Sequence, residues 1–283
     1  MREPISKVTR ANGVNLAHHD WTGVSAVPVV FCHATGFHGR CWDEVIRRID
    51  SSAIALDMRS HGQSQQVPPP MRWRDFGEDV AAIGEKLGWN GAIGVGHSMG
   101  GHAMALAAAL RPGTFRALLL LDPVIMSPEA YQGRWVQEHF ARKRRNQWSS
   151  PDEMFERFRD RAPFSKWNPQ VLRDYCDHAL IGGALACSPE TEGSIYENCT
   201  LPESNIHTGL DRIDIPVVIV RSAIEFVPGA TAMDASMTDP RLAGILKQGR
   251  DEHWRDVSHF IPMEAPKRVA AAIQAISSQG YSR

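Results

Sequence analysis

Four short apolar runs recur through the first 122 residues, each bounded by turn or polar residues: VPVVFC (27–32), AIALD (53–57), GAIGVG (91–96) and RALLLLD (116–122). They are nearly continuous rather than alternating, and strands of that kind are buried on both faces. Between them lie the helix-like segments GRCWDEVIRRID (39–50), RDFGEDVAAIGEKLG (74–88) and MGGHAMALAAALR (99–111). Strand alternating with helix calls for parallel neighbours joined by crossovers, so a doubly wound, mostly parallel α/β sheet is expected.

That rhythm stops between 127 and 208, where no buried-strand run occurs. Aromatic and charged stretches such as YQGRWVQEHFARKRRNQW and DEMFERFRDRAPFSKW take its place and are expected to be helical. IPVVIV (215–220) resumes the α/β pattern, and PKRVAAAIQAIS (266–277) closes it as an amphipathic helix. The expectation is a core of residues 1–126 and 209–283 with 127–208 inserted as a helical cap. A chain of 283 residues suffices for one such domain.

With 31 Lys and Arg against 32 Asp and Glu, the overall charge does not suggest a nucleic-acid partner. The basic run ARKRRNQW (141–148) reads as the solvated face of an amphipathic cap helix, with attraction of an acidic substrate as the alternative. No apolar run is long enough to cross a bilayer, and MREPISKVTRANG has none to serve as a signal peptide. The five cysteines (32, 41, 176, 187 and 199) are scattered without a CxxC pair. They read as reduced thiols in a cytoplasmic protein rather than a disulfide framework or a zinc site.

Ser98 sits in G-H-S-M-G, after an expected strand and before an expected helix. A serine in that tight turn requires small neighbours where backbone comes close, hence Gly96 and Gly100. Its hydroxyl becomes a useful nucleophile only when a base takes its proton. His259, in DVSHFIPMEAP before the last helix, can reach back to the sheet edge as that base, whereas the adjacent His97 points elsewhere. A tetrahedral intermediate needs N–H donors for its oxyanion. Met99 N–H beside the nucleophile and Thr35 N–H in HATGFHG (33–39) are the expected pair. The candidates for contact with substrate are His33, Trp135 and Phe140.

HATGFHG, LDMRSHGQS (56–64), GHSMGG (96–101) and SHFIPMEAP (258–266), in that order, resemble the α/β-hydrolase fold superfamily over nearly the whole chain. Ser60, Ala34 and Ser222 stand where the family usually has glycine. The resemblance implies a third, acidic member that orients His259. It places that acid either at Glu225, in PVVIVRSAIEFVP, or at Asp122, at the end of the strand after the nucleophile helix. It implies hydrolysis of a small-molecule ester, thioester, lactone or amide through an acyl-enzyme, with no metal or organic cofactor. Carbon–carbon bond hydrolysis, cofactor-free perhydrolysis and a non-catalytic ligand receptor are the alternatives on the same fold.

Overall fold

A computed structural model describes residues 3–24, 27–133, 136–222 and 236–278. In chain order the strands are β1 (Ile5–Ala11), β2 (Val14–Trp21), β3 (Val29–Cys32), β4 (Ala53–Leu56), β5 (Ala92–His97), β6 (Phe115–Leu121), β7 (Leu180–Ile181), β8 (Ala184–Leu185), β9 (Val217–Ser222) and β10 (Gly249–Trp254). The α-helices are α1 (Asp43–Ile46), α2 (Trp73–Lys86), α3 (Met99–Leu110), α4 (Pro151–Phe158), α5 (Pro169–His178), α6 (Pro189–Glu197), α7 (Leu242–Ile245), α8 (Ile261–Glu264) and α9 (Pro266–Ser278).

Eight strands form one sheet in the order β1-β2-β4-β3-β5-β6-β9-β10. The pairs β1–β2 and β2–β4 are antiparallel and every other pair is parallel. The four early apolar runs and IPVVIV become β3, β4, β5, β6 and β9, within two residues of the expected bounds. Their side chains alternate between two cores. Val29 and Phe31 of β3 join Ile93 and Val95 of β5 and Leu119 of β6 on the α1 and α9 side. Val30, Cys32, Leu118 and Leu120 pack on the other side against Phe76 and Val80 of α2 and Met104 of α3. Each fully buried aliphatic side chain contributes about 1.5–3 kcal/mol relative to exposure, which is why the runs are apolar throughout. The outer strands β1, β2 and β10 carry no such run: β1 is exposed over most of its length and β10 is largely half-exposed.

Residues 39–50 are not one α-helix. A 3₁₀ turn over Gly39–Trp42 leads into the short α1, and Ile49 N–H returns to the Ile46 carbonyl at 3.2 Å. Between β6 and β9 the chain leaves the sheet for short helices and the small β7–β8 hairpin. Three of these helices start alike, with a polar N-cap followed by proline. Ser150, Asn168 and Ser188 accept from the backbone N–H of Glu153, Gln170 and Thr191 respectively. Among the described residues of 131–148 the expected helix does not form. Extended backbone at His139 (ψ 141°) and Arg144 (ψ 145°) leaves only a 3₁₀ turn over Phe140–Lys143.

The strand order reverses between β3 and β5, since the chain steps outward from β3 to β4 and then returns to the other side of β3. In an open α/β sheet the crevice beyond the carboxyl ends at such a reversal is where ligands bind. Among the described residues no helix is long and apolar enough to cross a membrane.

Candidate active site

Ser98 occupies the turn between β5 and α3 with φ 56° and ψ −118°, a costly conformation for a residue that carries a Cβ. Its surroundings hold it there. Ser98 N–H donates to the Leu121 carbonyl at 3.0 Å, and its own carbonyl accepts from Gly101, His102 and Val124 at 3.0–3.2 Å. A Cβ on Gly96 would fall on the Gly100 carbonyl, and one on Gly100 would fall on the carbonyl of Cys32 in β3. The glycines are there because α3 crosses the ends of β3 and β5 at backbone contact.

His259, just before α8, puts Nε2 3.0 Å from Ser98 Oγ and Nδ1 2.6 Å from Asp122 Oδ2. Asp122 follows β6 with φ 45° and is wholly buried. Burial works to raise its pKa, but hydrogen bonds from His259, Ser236 and Ser222 outweigh that and hold the carboxyl below its ordinary value. Its Oδ1 accepts from Ser222 N–H at 3.1 Å and Ser236 Oγ at 2.5 Å, and its Oδ2 from Ser222 Oγ at 3.0 Å. An ionised carboxylate can only accept, so His259 carries its proton on Nδ1 and turns the lone pair of Nε2 toward the Ser98 hydroxyl. Such a line can take the proton of Ser98 as its oxygen attacks. The other acid considered from the sequence, Glu225, lies outside the described residues.

The sequence marked Ser222 only as a replaced glycine, with no role at the site, and did not mark Ser236. For Ser222 a signal existed: it replaces a usual glycine, and both its N–H and its hydroxyl bind Asp122. His97 has a part as well. Its Nε2–H donates to the backbone carbonyl of His259 at 2.8 Å, while burial pushes its pKa down to about 3, so it stays a neutral donor.

Thr35 and Met99, the residue after Ser98, are in contact, with Thr35 Oγ1 donating to Met99 Sδ at 3.4 Å. The peptide between Ala34 and Thr35 is oriented from behind. His33 Nδ1–H donates to the Ala34 carbonyl at 2.7 Å and its Nε2 accepts from Met58 N–H at 3.0 Å. In a trans peptide the N–H points opposite to the C=O, so fixing that carbonyl also fixes the direction of Thr35 N–H. His33, expected to contact substrate, is buried with both ring nitrogens engaged by backbone, and it is not among the residues that line the cavity. Ser60 takes up the left-handed backbone (φ 61°) that glycine normally supplies, and its hydroxyl accepts from Val67 N–H at 2.9 Å.

Ser98, His259 and Thr35 open on a cavity of about 480 Å³ whose wall is mostly apolar. Phe140 lines it, as do Phe158 and Phe164, which stack at 4.3 Å between centroids. Trp135 lies outside the described residues. Trp167 packs between Phe37 and Phe260 as core, at 5.6 and 5.3 Å. The basic run is not a solvated helix face. Arg142 clasps Glu197 of α6 with two hydrogen bonds (2.6 and 2.9 Å), and Arg144 pairs with Glu192 of the same helix at the cavity wall.

Comparison with known proteins places the chain in a family. The chain is 27% identical over 282 residues to a non-heme chloroperoxidase of Streptomyces lividans, covering 90% of this chain and 93% of that protein. It is 25% identical over 270 residues to a bifunctional esterase/perhydrolase of Acinetobacter calcoaceticus, with the same coverage of 90% and 93%. A peroxisomal alpha-beta-hydrolase from Saccharomyces cerevisiae shares its fold with a TM-score of 0.77 at 17% identity, over 100% of this chain and 91% of that one. Residues 29–272 match the alpha/beta hydrolase family, and the chain belongs to it.

Proposed function

We propose that the protein is a serine hydrolase that cleaves a small-molecule carboxylic ester through an acyl-enzyme on Ser98. The observation that carries this reading is the unbroken line from Ser98 Oγ through His259 to Asp122, at 3.0 and 2.6 Å. Ser98 Oγ attacks the ester carbonyl while His259 Nε2 takes the hydroxyl proton, and Asp122 stabilises the imidazolium so formed. The N–H groups of Met99 and Thr35 receive the oxyanion. His259 then passes its proton to the leaving alkoxide, and the C–O bond breaks. Water, deprotonated by the same nitrogen, attacks the acyl-enzyme and releases the acid and Ser98. Residues 127–208 act as a cap whose aromatic side chains shape the acyl pocket.

A second reading is favoured by the relatives' names, one a chloroperoxidase and one an esterase/perhydrolase. Hydrogen peroxide in place of water would attack the same acyl-enzyme and release a peracid, with no change in the residues that act.

The test is hydrolysis of p-nitrophenyl esters from acetyl to dodecanoyl by wild type and Ser98→Ala. The expected result is turnover that Ser98→Ala reduces by several orders of magnitude. Turnover that survives in Ser98→Ala sinks the proposal. Adding hydrogen peroxide to the acetyl assay and measuring peracid decides between water and peroxide as the second acceptor.

A further inference from the structure

The cavity beside Ser98 is apolar over most of its wall, yet it holds an ion pair. Arg144 Nη1 donates to Glu192 Oε2, and both side chains line the cavity. A buried ion pair is a poor device for stability, because desolvation of both charges offsets their attraction. Its presence in a largely apolar pocket calls for another reason.

The partners are not equally accessible. The Glu192 side chain is 6% exposed and that of Arg144 27%, so the pair offers a ligand guanidinium rather than carboxylate. Among the described residues, Glu192 and the Tyr175 hydroxyl (3.4 Å) occupy two of the five N–H donors of Arg144. The other cations of the basic run are engaged elsewhere: Arg142 with Glu197, Lys143 near Glu138 at 3.7 Å, and Arg145 with Glu153 at 2.7 Å. The pair also has a defined place in the site. A Cβ on Gly36 would lie 3.0 Å from Glu192 Oε1 and 3.4 Å from Arg144 Nη1, and Gly36 directly follows Thr35. The guanidinium therefore stands next to the loop that carries the oxyanion donor.

We infer that Arg144 is a specificity-determining residue that receives a carboxylate of the substrate, so that the substrate cleaved at Ser98 is a half-ester of a dicarboxylic acid whose acyl group carries that second carboxylate. This rests on the reading of Ser98 as the nucleophile of an ester hydrolase. A planar guanidinium with free donors matches a carboxylate in a bidentate fork, and Glu192 holds it in the orientation that presents them. The phenyl rings along the wall pack the methylene chain between the two acid groups.

The product of such a reaction is a dicarboxylate, which can be bound directly. Isothermal titration calorimetry on the wild type with glutarate, adipate and pimelate, each beside valerate, hexanoate or heptanoate of equal chain length, measures the preference without turnover. The expected result is that the best dicarboxylate binds at least tenfold tighter than its monocarboxylate. Arg144→Gln abolishes that ratio and Arg144→Lys restores part of it. A wild-type ratio at or below one overturns the inference without any variant having to fold, and so does a ratio that survives Arg144→Gln. Failure of the nucleophile reading shows separately, as p-nitrophenyl acetate turnover that persists in Ser98→Ala.

Discussion

Replacing Asp122 by asparagine changes one atom, and the surrounding hydrogen bonds dictate how the amide must sit. At the Oδ1 position the Ser222 backbone N–H can only donate, so the amide oxygen has to stay there. The amide NH₂ is therefore left at the Oδ2 position, 2.6 Å from His259 Nδ1 in the wild type. The Ser222 hydroxyl can rotate to accept from it, but His259 can accept only by losing its proton from Nδ1 and carrying it on Nε2. That tautomer turns an N–H toward Ser98, and the base is lost. Restoring the working tautomer forfeits a hydrogen bond to a charged acceptor, about 1.5–3 kcal/mol, and leaves a buried donor unpaired, about 1–3 kcal/mol. The sum of roughly 2.5–6 kcal/mol corresponds to a fall in acylation rate between about seventyfold and twenty-five-thousandfold. The p-nitrophenyl acetate burst, followed by stopped flow, reads this rate, and circular dichroism checks that the variant is folded. A folded Asp122→Asn protein whose burst stays within fivefold of wild type would refute the assignment and turn attention to Glu225.

Two further predictions concern buried histidines. Burial pushes His38, His61 and His102 down to about 4 and His97 to about 3, against 6.5 when unfolded. Below pH 6.5 the unfolded chain binds protons that the folded chain refuses, so stability is full above 6.5 and lost as pH falls toward 4. Each histidine withdraws about 2 kcal/mol by pH 5. Asp43, raised by burial to about 6, takes up a proton in the folded state over the same window and returns only about 1 kcal/mol. The urea midpoint should drop sharply between pH 7 and pH 5, and an unchanged midpoint contradicts the reasoning. His97→Leu removes the donor to the His259 carbonyl while leaving the substrate cavity alone. It should lower kcat by roughly tenfold with KM nearly constant, the loss of about one hydrogen bond's worth of positioning. A KM rise with kcat intact would instead assign His97 to binding.

The central strands were legible in the sequence because both of their faces are buried, which leaves a continuous apolar run in β3 to β6 and β9. Strands β1 and β10 were not, because each presents much of its surface to solvent and its residues are free to be polar. Ser98 and the two glycines around it were equally readable, since the steric demand of the turn acts on adjacent residues. The N-caps of α4, α5 and α6 are local in the same sense.

What the sequence left open depends on contacts between residues far apart in the chain. Nothing near Asp122 distinguishes it from Glu225. It meets His259 because β6 lies between β5 and β9, and the Asp122 N–H to Val220 carbonyl bond (2.7 Å) sets the register that brings Ser222 against it. The basic run shows the same division. Taken alone, six polar residues around Arg142 and Arg144 suit a solvated helix, but two glutamates about fifty positions later in α6 draw both arginines inward. Local sterics and burial patterning thus determined the sheet and the Ser98 turn. Strand order and helix packing decided which charges face each other, because electrostatic partners are chosen by distance in space and not by separation along the chain.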